Sequence, residues 1–336
     1  MKKILVTGGL GFIGSHTVVE LQKEGFEVVI IDDLSNSTID VLANITDITG
    51  KKPDFFQIDL RKKEDVTRFF DTNNVDGIIH FAAFKAVGES VQKPLEYYEN
   101  NISSLVYLLQ EMRDRNIDHF IFSSSCTVYG QADELPITEN APVKKAASTY
   151  GNTKQIGEEI IQDSCKAHKL NAIALRYFNP IGAHESIKIG ELPLGVPQNL
   201  IPFITQTAAG MRKELAVFGD DYPTKDGTAV RDYIHVVDLA QAHIAALARL
   251  LNKKNKTRFE FFNVGTGKGT SVLEVIKTFE KIAKKPLNYK IVGRREGDIT
   301  AAYADTTMAN KELNWKTSKS LEEALDSAWK WQLKQK

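Results

Sequence analysis

The N-terminal stretch that ends at Asp33 carries the pattern that most restricts how this chain can fold. A short apolar run at residues 4–6 is typical of a buried strand, and three glycines follow it at intervals of three: Gly8, Gly11 and Gly14. A helical pattern then continues to Glu24, and a second apolar run at residues 27–31 ends in Asp32 and Asp33. This order of strand, glycine turn, helix and strand predicts two parallel strands joined by a crossover helix.

The same turn is suited to binding a dinucleotide. Glycines allow the backbone to turn tightly and to approach a pyrophosphate, and the N-terminus of the following helix offers free N–H groups and the positive end of its dipole. Asp32 directly follows the second apolar run, where a carboxylate can accept hydrogen bonds from the ribose hydroxyls of adenosine and would repel a 2′-phosphate. We therefore expect NAD rather than NADP as the cofactor.

Strands and helices continue to alternate through the first half of the chain. Further strands are predicted over residues 54–58, 77–80 and 120–122, with helices between them. Parallel strands with crossover helices form a doubly wound α/β sheet, and ligands bind at the carboxyl ends of its strands. The residues that directly follow these strands should therefore border the cofactor: Asp59, Leu60, Phe81, Ala82 and Ala83.

Tyr150 and Lys154 are candidates for acid–base chemistry. They are four positions apart in a segment with a helical pattern, so their side chains should share one face of the helix. An unperturbed phenol has a pKa of about 10, and a neighbouring cation lowers it. We therefore expect Lys154 to lower the pKa of Tyr150 and to make it a general base for a hydroxyl proton. Ser125, which follows the strand at 120–122, should lie on the same rim of the sheet.

Composition excludes several other classes of protein. Lys and Arg number 43, as do Asp and Glu, so the formal net charge is zero, and we expect neither a nucleic-acid nor a membrane-surface partner. The two cysteines, Cys126 and Cys165, are too few for a disulfide framework and lack the spacing of metal ligands. No signal peptide follows Met1, and no stretch is long and apolar enough to span a bilayer. We expect a cytoplasmic protein without a bound metal.

The second half of the chain differs from the first half in its amino-acid composition. Glycine and proline become frequent between residues 180 and 202, which predicts a smaller, loop-rich substrate-binding domain of α/β type. A helical pattern over 237–250 and a strong strand pattern over 259–264 then indicate a return to the sheet. We expect residues 1–178 and about 234–265 to form the NAD-binding Rossmann domain. The second domain should comprise about 179–233 and 266–336.

Longer motifs resemble one enzyme family. The three glycines combined with Ser125, Tyr150 and Lys154 resemble the extended short-chain dehydrogenase/reductase superfamily. The segments at 85–98, 176–180 and 221–228 resemble the UDP-glucose 4-epimerases more specifically, and the resemblance extends from Lys3 to about Trp331. It implies reversible C4 epimerisation of UDP-galactose and UDP-glucose in galactose metabolism, through a 4-keto intermediate and transient hydride transfer to bound NAD.

The resemblance also implies roles for individual residues. Tyr150, as phenolate, would remove the proton of the sugar 4-hydroxyl, Lys154 would bond the nicotinamide ribose, and Ser125 would hydrogen-bond the reacting oxygen. Arg231 and Arg295 would hold the diphosphate. Further cofactor contacts are implied at Phe12, Ile13, Asp33, Asn36, Ser37, Lys85, Asn100, Tyr177 and Phe178. Further substrate contacts are implied at Lys85, Asn179, Asn199, Leu200, Ala216, Phe218, Asp298 and Ala302. A homodimer is implied through the helices at 94–116 and 150–168.

One position departs from part of the family. Some members carry a bulky Tyr on the wall of the sugar pocket where this chain has Ala302. A small side chain there leaves room for an N-acetyl group at C2 of the sugar. The resemblance therefore suggests that UDP-GlcNAc and UDP-GalNAc could also be substrates.

Two alternatives are open at this point. A nucleotide-sugar 4,6-dehydratase shares the fold, cofactor and Tyr–Lys pair, but it needs an additional acid–base pair, and Ser125 is followed by Cys126 and Thr127, which carry no carboxylate. A non-catalytic dinucleotide-binding regulator would not need Ser125, Tyr150 and Lys154 together. Tight NAD binding without turnover of any UDP-sugar would favour the regulator.

Overall fold

The structure, a computed structural model, describes residues 1–295 and 298–335. Its strands are β1 (Lys3–Thr7), β2 (Glu27–Asp32), β3 (Asp54–Gln57), β4 (Gly77–His80), β5 (His119–Ser123), β6 (Asn171–Tyr177), β7 (Asn179–Ile181), β8 (Leu215–Phe218), β9 (Val230–Arg231), β10 (Tyr233–His235), β11 (Phe259–Val264), β12 (Thr270–Ser271), β13 (Tyr289–Val292) and β14 (Ala301–Ala302). Seven of them form the central sheet in the order β11-β6-β5-β4-β1-β2-β3. Every pairing in that sheet is parallel.

The helices are α1 (Phe12–Lys23), α2 (Asp40–Thr49), α3 (Lys63–Thr72), α4 (Val87–Gln92), α5 (Pro94–Tyr98), α6 (Ser104–Arg115), α7 (Thr149–Ala167), α8 (Leu200–Ala208), α9 (Val236–Leu251), α10 (Val272–Ala283), α11 (Thr307–Glu312) and α12 (Leu321–Lys334). Helices cover both faces of the central sheet, so its inner strands are buried apolar runs rather than alternating ones. One hydrophobic cluster joins the sheet to α1, α2 and α9, and another joins it to α3, α6 and α7. The prediction of a doubly wound α/β sheet is confirmed.

The helix predicted over 94–116 is not continuous. A π-helical turn over Glu99–Ser103 separates α5 from α6. Within that turn the buried Asn101 accepts a hydrogen bond from the backbone N–H of Phe84 at 2.8 Å and donates to Thr153 Oγ1 at 3.0 Å. The extra residue in the turn thus turns an amide side chain inward, where it connects the end of β4 to the helix that carries Tyr150.

A smaller unit is built around a third hydrophobic cluster. Its members come from α8, β8, α10 and α12 and include Ile204, Val217, Phe279 and Leu325. Its sheets are short: β7 pairs with β10, β8 with β13, and β9 lies between β12 and β14. None of the described helices is both long and apolar enough to cross a membrane.

Candidate active site

Ser125, Tyr150 and Lys154 come together at the carboxyl edge of the central sheet. Ser125 lies just beyond the end of β5. Tyr150 and Lys154 lie in the first two turns of α7, which begins after Ser148, whose hydroxyl accepts a hydrogen bond from the backbone N–H of Gly151 at 3.1 Å. An N-cap of this kind fixes where the helix starts. The hydroxyl of Ser125 lies near enough to the phenol of Tyr150 to affect its pKa, and the Nζ of Lys154 lies 5.8 Å from the centre of the Tyr150 ring.

The electrostatics of this group differ from the prediction. The pKa of Tyr150 is raised well above its ordinary value, chiefly because the phenol is buried, although the neighbouring hydroxyl of Ser125 acts to lower it. Burial also lowers the pKa of Lys154 to about 8, opposed by the charge of Glu158. The expectation that Lys154 gives Tyr150 a lowered pKa is therefore wrong for the protein alone, because burial of the phenol outweighs the neighbouring cation. Tyr150 holds its proton at neutral pH in this state.

The glycine turn fits the pyrophosphate of a dinucleotide. Gly11 precedes α1 in an extended conformation and provides no side-chain cap, so the N–H groups of the first turn are available to an anion. Gly8 has a φ of +67°, and a Cβ there would lie 2.8 Å from the backbone nitrogen of Ala82. A Cβ at Gly14 would collide with the carbonyl oxygen of Gly8. Side chains at these positions would therefore fill or distort the cradle.

Asp32 holds the glycine turn in place. It is buried at the end of β2 and accepts hydrogen bonds from the backbone N–H of Leu10 at 3.0 Å and of Leu34 at 3.0 Å, and from the hydroxyl of Ser37 at 2.8 Å. Asp33 is half-buried and accepts from the backbone N–H of Ser35 at 2.9 Å. The predicted contacts of these carboxylates with the adenosine ribose remain predictions.

The other predicted cofactor residues lie around the same edge. Phe12 and Ile13 open α1, Asn36 and Ser37 follow β2, Asp59 and Leu60 follow β3, and Phe81, Ala82, Ala83 and Lys85 follow β4. Tyr177 ends β6, and its hydroxyl lies 2.8 Å from the hydroxyl of Ser123. Asn100 lies in the π-helical turn and donates to Asn101 at 2.9 Å.

A second group of predicted residues lies on the short strands of the smaller unit. Arg231 on β9 is paired in register with Ala302 on β14, and its guanidinium forms an ion pair with Asp298. Arg295 reaches across to α4, since a Cβ at Gly88 would lie 2.9 Å from its Nη2. Ala302 is buried beside Phe178, Val128, Tyr129 and Ile137 in a small apolar cluster. Cations and a small apolar wall are thus adjacent.

The remaining predicted substrate residues occupy element ends. Asn179 starts β7, Leu200 starts α8, and Ala216 and Phe218 lie on β8, where Phe218 is 43% exposed. Asn199 immediately precedes α8, and its amide donates to Glu191 at 2.6 Å. The same carboxylate oxygen accepts from Lys85 at 3.3 Å. Glu191 therefore bridges the loop after β4 and the residue before α8.

The sequence did not single out Glu191, Glu158 or Arg176 as functional residues. Arg176 was part of a recognised motif without a role. Glu158 and Arg176 form a buried ion pair behind Lys154, with 2.5 Å between Arg176 Nη2 and Glu158 Oε2. The only available signal was the spacing of Tyr150, Lys154 and Glu158 at successive intervals of four. Among the described residues, no group of His, Cys, Asp and Glu side chains has the arrangement of metal ligands.

Comparisons with known proteins show which family this chain is similar to. The family model described as GDP-mannose 4,6 dehydratase matches residues 5–328. The UDP-glucose 4-epimerase of Drosophila melanogaster is 47% identical over 336 residues, which cover 98% of this chain and 96% of the relative.

Two solved structures are similar along their whole length. The UDP-glucose 4-epimerase of Bifidobacterium longum in complex with NAD⁺ and UDP has a TM-score of 0.95 at 47% identity, covering 99% of this chain and 98% of the other. The UDP-Glc/GlcNAc 4-epimerase of Campylobacter jejuni has a TM-score of 0.85 at 35% identity, covering 99% of this chain and 100% of the other.

Proposed function

Because the chain belongs to the UDP-glucose 4-epimerase family, we propose that Ser125, Tyr150 and Lys154 catalyse its reaction. The enzyme is an isomerase that interconverts UDP-galactose and UDP-glucose at C4 of the hexose, through a 4-keto intermediate and with NAD as cofactor. The observation that carries the assignment of residues is their placement. A serine, a tyrosine and a lysine meet at the edge of a parallel sheet, beside a glycine turn that fits a pyrophosphate.

Each residue has one task in the proposed mechanism. Tyr150 takes the proton of the 4-hydroxyl and returns a proton to the same oxygen after the 4-keto sugar has presented its other face. Ser125, which lies near Tyr150, hydrogen-bonds the reacting oxygen and keeps the proton path short. Lys154 places a buried positive charge near the phenolate and stabilises it. When bound, NAD supplies an acceptor for the hydride that leaves C4 of the sugar, together with a positive charge that also favours the phenolate.

The substrate is held more firmly at one end than at the other. Arg231 and Arg295 bind the diphosphate, since guanidinium groups match phosphate oxygens with paired hydrogen bonds, and Asp298 binds the nucleotide ribose. Asn199, Leu200, Ala216 and Phe218 border the uracil, and Asn179 lies between nucleotide and sugar. The sugar pocket beside Ala302 and Phe178 is apolar. The 4-keto sugar can therefore rotate between the two hydride transfers, while the nucleotide stays bound.

N-acetylated UDP-hexoses are proposed as additional substrates. Ala302 is 2% exposed and lies among apolar side chains on the strand next to Arg231. A methyl group at this place leaves more room beside the sugar than a phenol would. The similarity to the Campylobacter jejuni UDP-Glc/GlcNAc 4-epimerase supports the same proposal.

The dehydratase alternative is disfavoured by the residues after Ser125. A 4,6-dehydratase needs an acid–base pair there to eliminate water, but the chain has Cys126 and Thr127. The surroundings of Cys126 raise the pKa of its thiol to about 12, chiefly through desolvation, so the thiol is poorly suited to replace a carboxylic acid in that pair.

A homodimer in the cytoplasm is also part of the proposal. Helices α5, α6 and α7 are the candidate interface, and Leu95 at the start of this region is 78% exposed. Both cysteines are free thiols, which suits a reducing compartment. The domain boundaries proposed from the sequence place α9 and β11 with the NAD-binding domain.

The test gives the purified enzyme UDP-galactose and UDP-GalNAc in separate tubes, without added NAD, and follows the C4 epimers by proton NMR. Conversion of both substrates is expected, because the cofactor is regenerated in each turnover. Conversion of UDP-galactose alone would remove the N-acetyl extension. If neither reacts, even after NAD is added, the catalytic assignment fails.

A further inference from the structure

Three consecutive serines at the end of β5 contact three residues of one helix. The carbonyl oxygen of Ser123 accepts a hydrogen bond from Lys154 Nζ at 2.7 Å, and the hydroxyl of Ser124 donates to Glu158 Oε1 at 2.5 Å. The hydroxyl of Ser125 lies near the phenol of Tyr150, whose pKa it acts to lower. Their partners lie at successive intervals of four on α7 and therefore share one face. Two of these contacts involve the proposed catalytic groups, and the third involves Glu158.

A buried hydrogen-bond network that includes Arg176 holds Glu158 in place. Arg176 on β6 donates to Glu158 through Nε at 3.0 Å and through Nη2 at 2.5 Å, and its Nη1 donates to the hydroxyl of Tyr129 at 3.0 Å. That hydroxyl donates to Asn263 on β11 at 2.7 Å. The guanidinium also lies 3.9 Å from the centre of the Phe261 ring. Glu158 and Arg176 are both buried, so this network anchors α7 to the neighbouring strands without contact with solvent.

The charge of Glu158 also bears on Lys154. The ionisable groups that face Lys154 and Tyr150 are Glu158 on their own helix, His80 on β4, Cys126 after β5, Tyr177 on β6, and Tyr97 on α5. His80, Tyr177 and Cys126 are neutral near pH 7, because burial lowers the pKa of His80 to about 3 and raises those of Tyr177 and Cys126 to about 12. Tyr97 is also neutral, because burial and Glu89 raise its pKa. Glu158 is therefore the carboxylate in this set, and it opposes the loss of the Lys154 proton.

We propose that Glu158 is a positioning residue for the epimerisation. Through Ser124 it locks α7 to the end of β5, so that Tyr150 and Lys154 stay opposite Ser125, and its negative charge keeps the Lys154 ammonium protonated. This inference rests on the catalytic roles proposed above.

Glu158→Gln removes the charge and keeps one oxygen that can accept a hydrogen bond. A misplacement of about 1 Å in a reacting group can cost about a hundredfold in rate, so kcat should fall about tenfold to a hundredfold while KM for UDP-galactose changes little. Without the carboxylate, Lys154 loses its proton more readily. The alkaline limb of the kcat–pH profile should therefore move to lower pH, by about one pH unit.

Glu260→Gln is the matched control. Glu260 on β11 forms a similarly buried ion pair with Arg249 on α9, with hydrogen bonds of 2.7 and 3.0 Å. The side chains of that pair are 6% and 8% exposed, against 5% and 8% for Arg176 and Glu158. Both variants remove a buried carboxylate that pairs with an arginine, but Arg249 keeps a second ion pair with Glu312 at 3.0 Å. Glu260→Gln should therefore lose no more stability than Glu158→Gln, and the melting temperature of each variant is measured beside its kcat. Only Glu158→Gln should lower kcat and shift the pH profile, with bound NAD measured as equal in both holoenzymes.

A second variant keeps the test decisive if Glu158→Gln does not fold. Ser124→Ala removes the hydrogen bond to Glu158 and leaves the ion pair with Arg176 and all charges in place. It should lower kcat without moving the alkaline limb. Wild-type kcat in Ser124→Ala would overturn the positioning role, and a Glu158→Gln profile that matches Glu260→Gln would overturn the effect on Lys154.

Tyr150→Phe separates failure of this inference from failure of the proposed function. Normal turnover in Tyr150→Phe would remove the catalytic assignment itself. Loss of turnover in Tyr150→Phe, combined with wild-type behaviour of Glu158→Gln and Ser124→Ala, would overturn only the role of Glu158.

Discussion

The catalytic rim and the nucleotide-binding side of this enzyme are built in different ways. The three proposed catalytic residues are all buried: Tyr150 and Lys154 lie on the long helix α7, and Ser125 follows β5 of the central sheet. By contrast, Arg231, proposed to bind the diphosphate, lies on a two-residue strand, and Phe218, proposed to border the uracil, is 43% exposed. The proposed catalytic groups are therefore enclosed by long elements, whereas the proposed nucleotide residues lie on short and partly exposed ones. The difference suits a reaction in which the chemistry needs precise distances and the ligand must enter and leave.

The strongest test of this contrast is Tyr150→Phe. If the buried rim supplies the proton transfer, removal of one hydroxyl should lower kcat by about 10²–10⁴-fold, with NAD content unchanged because the glycine turn is untouched. The measurement is turnover of UDP-galactose, together with the absorbance of the bound cofactor. Near-normal turnover would mean that another group transfers the proton.

Arg231→Met tests the proposed nucleotide-binding side of the site. Hydrogen bonds to charged groups contribute about 1.5–3 kcal/mol, so KM for UDP-galactose should rise about tenfold to a hundredfold, with a smaller change in kcat. Arg294→Met is the matched control, since Arg294 is a nearby arginine whose ion pair with Asp221 is exposed. A fall in kcat at unchanged KM would break the contrast, because Arg231 would then belong to the catalytic rim.

Ala302→Tyr tests the proposed sugar pocket, which lies between the proposed catalytic residues and the proposed nucleotide-binding residues. Of the three variants, it should have the smallest effect on activity with UDP-galactose. The added phenol takes the space proposed for an N-acetyl group, so activity on UDP-GalNAc should fall at least tenfold relative to activity on UDP-galactose. One poorly fitting group in a pocket costs about 1–3 kcal/mol of transition-state binding, which corresponds to a difference of this size. The melting temperature of the variant separates overpacking of the buried site from selectivity. Equal losses on both substrates in a stable variant would contradict the proposal.

The same contrast explains how much could be predicted from the sequence. Most strands of the NAD side were predictable because they are short apolar runs bounded by glycine, acidic or other polar residues, as at Gly8 and Asp32. The strand β6 was not predicted from the sequence, although it lies inside the sheet. The short strands β9, β12 and β14 were not predictable, because two residues carry no periodicity and their pairing depends on partners that are distant in the sequence. The interruption of the helix at Glu99–Ser103 was also missed, since its cause is the tertiary contact of Asn101 with Phe84 and Thr153.

The electrostatics of the site were the least predictable part. The prediction for Tyr150 considered only Lys154, a neighbour on the same helix, whereas the pKa of the phenol follows from burial by several elements. Glu158 and Arg176 could not be paired from the sequence, because their contact depends on how α7 lies over β6. Local spacing can therefore suggest which groups react, but the proton affinity of each group depends on the whole fold.

The order of strands in the central sheet has a consequence for how the chain is made. β6 ends at Tyr177, but its outer neighbour β11 ends only at Val264, after α8 and β8 of the smaller unit have been made. At a synthesis rate of about 5–20 residues per second, the nascent chain carries an unpaired β6 edge for about 4–17 seconds. A chain cut short before Val264 keeps that edge permanently, and exposed parallel-strand edges invite aggregation. Several elements of the smaller unit must therefore be synthesised before β11 can complete the cofactor-binding sheet.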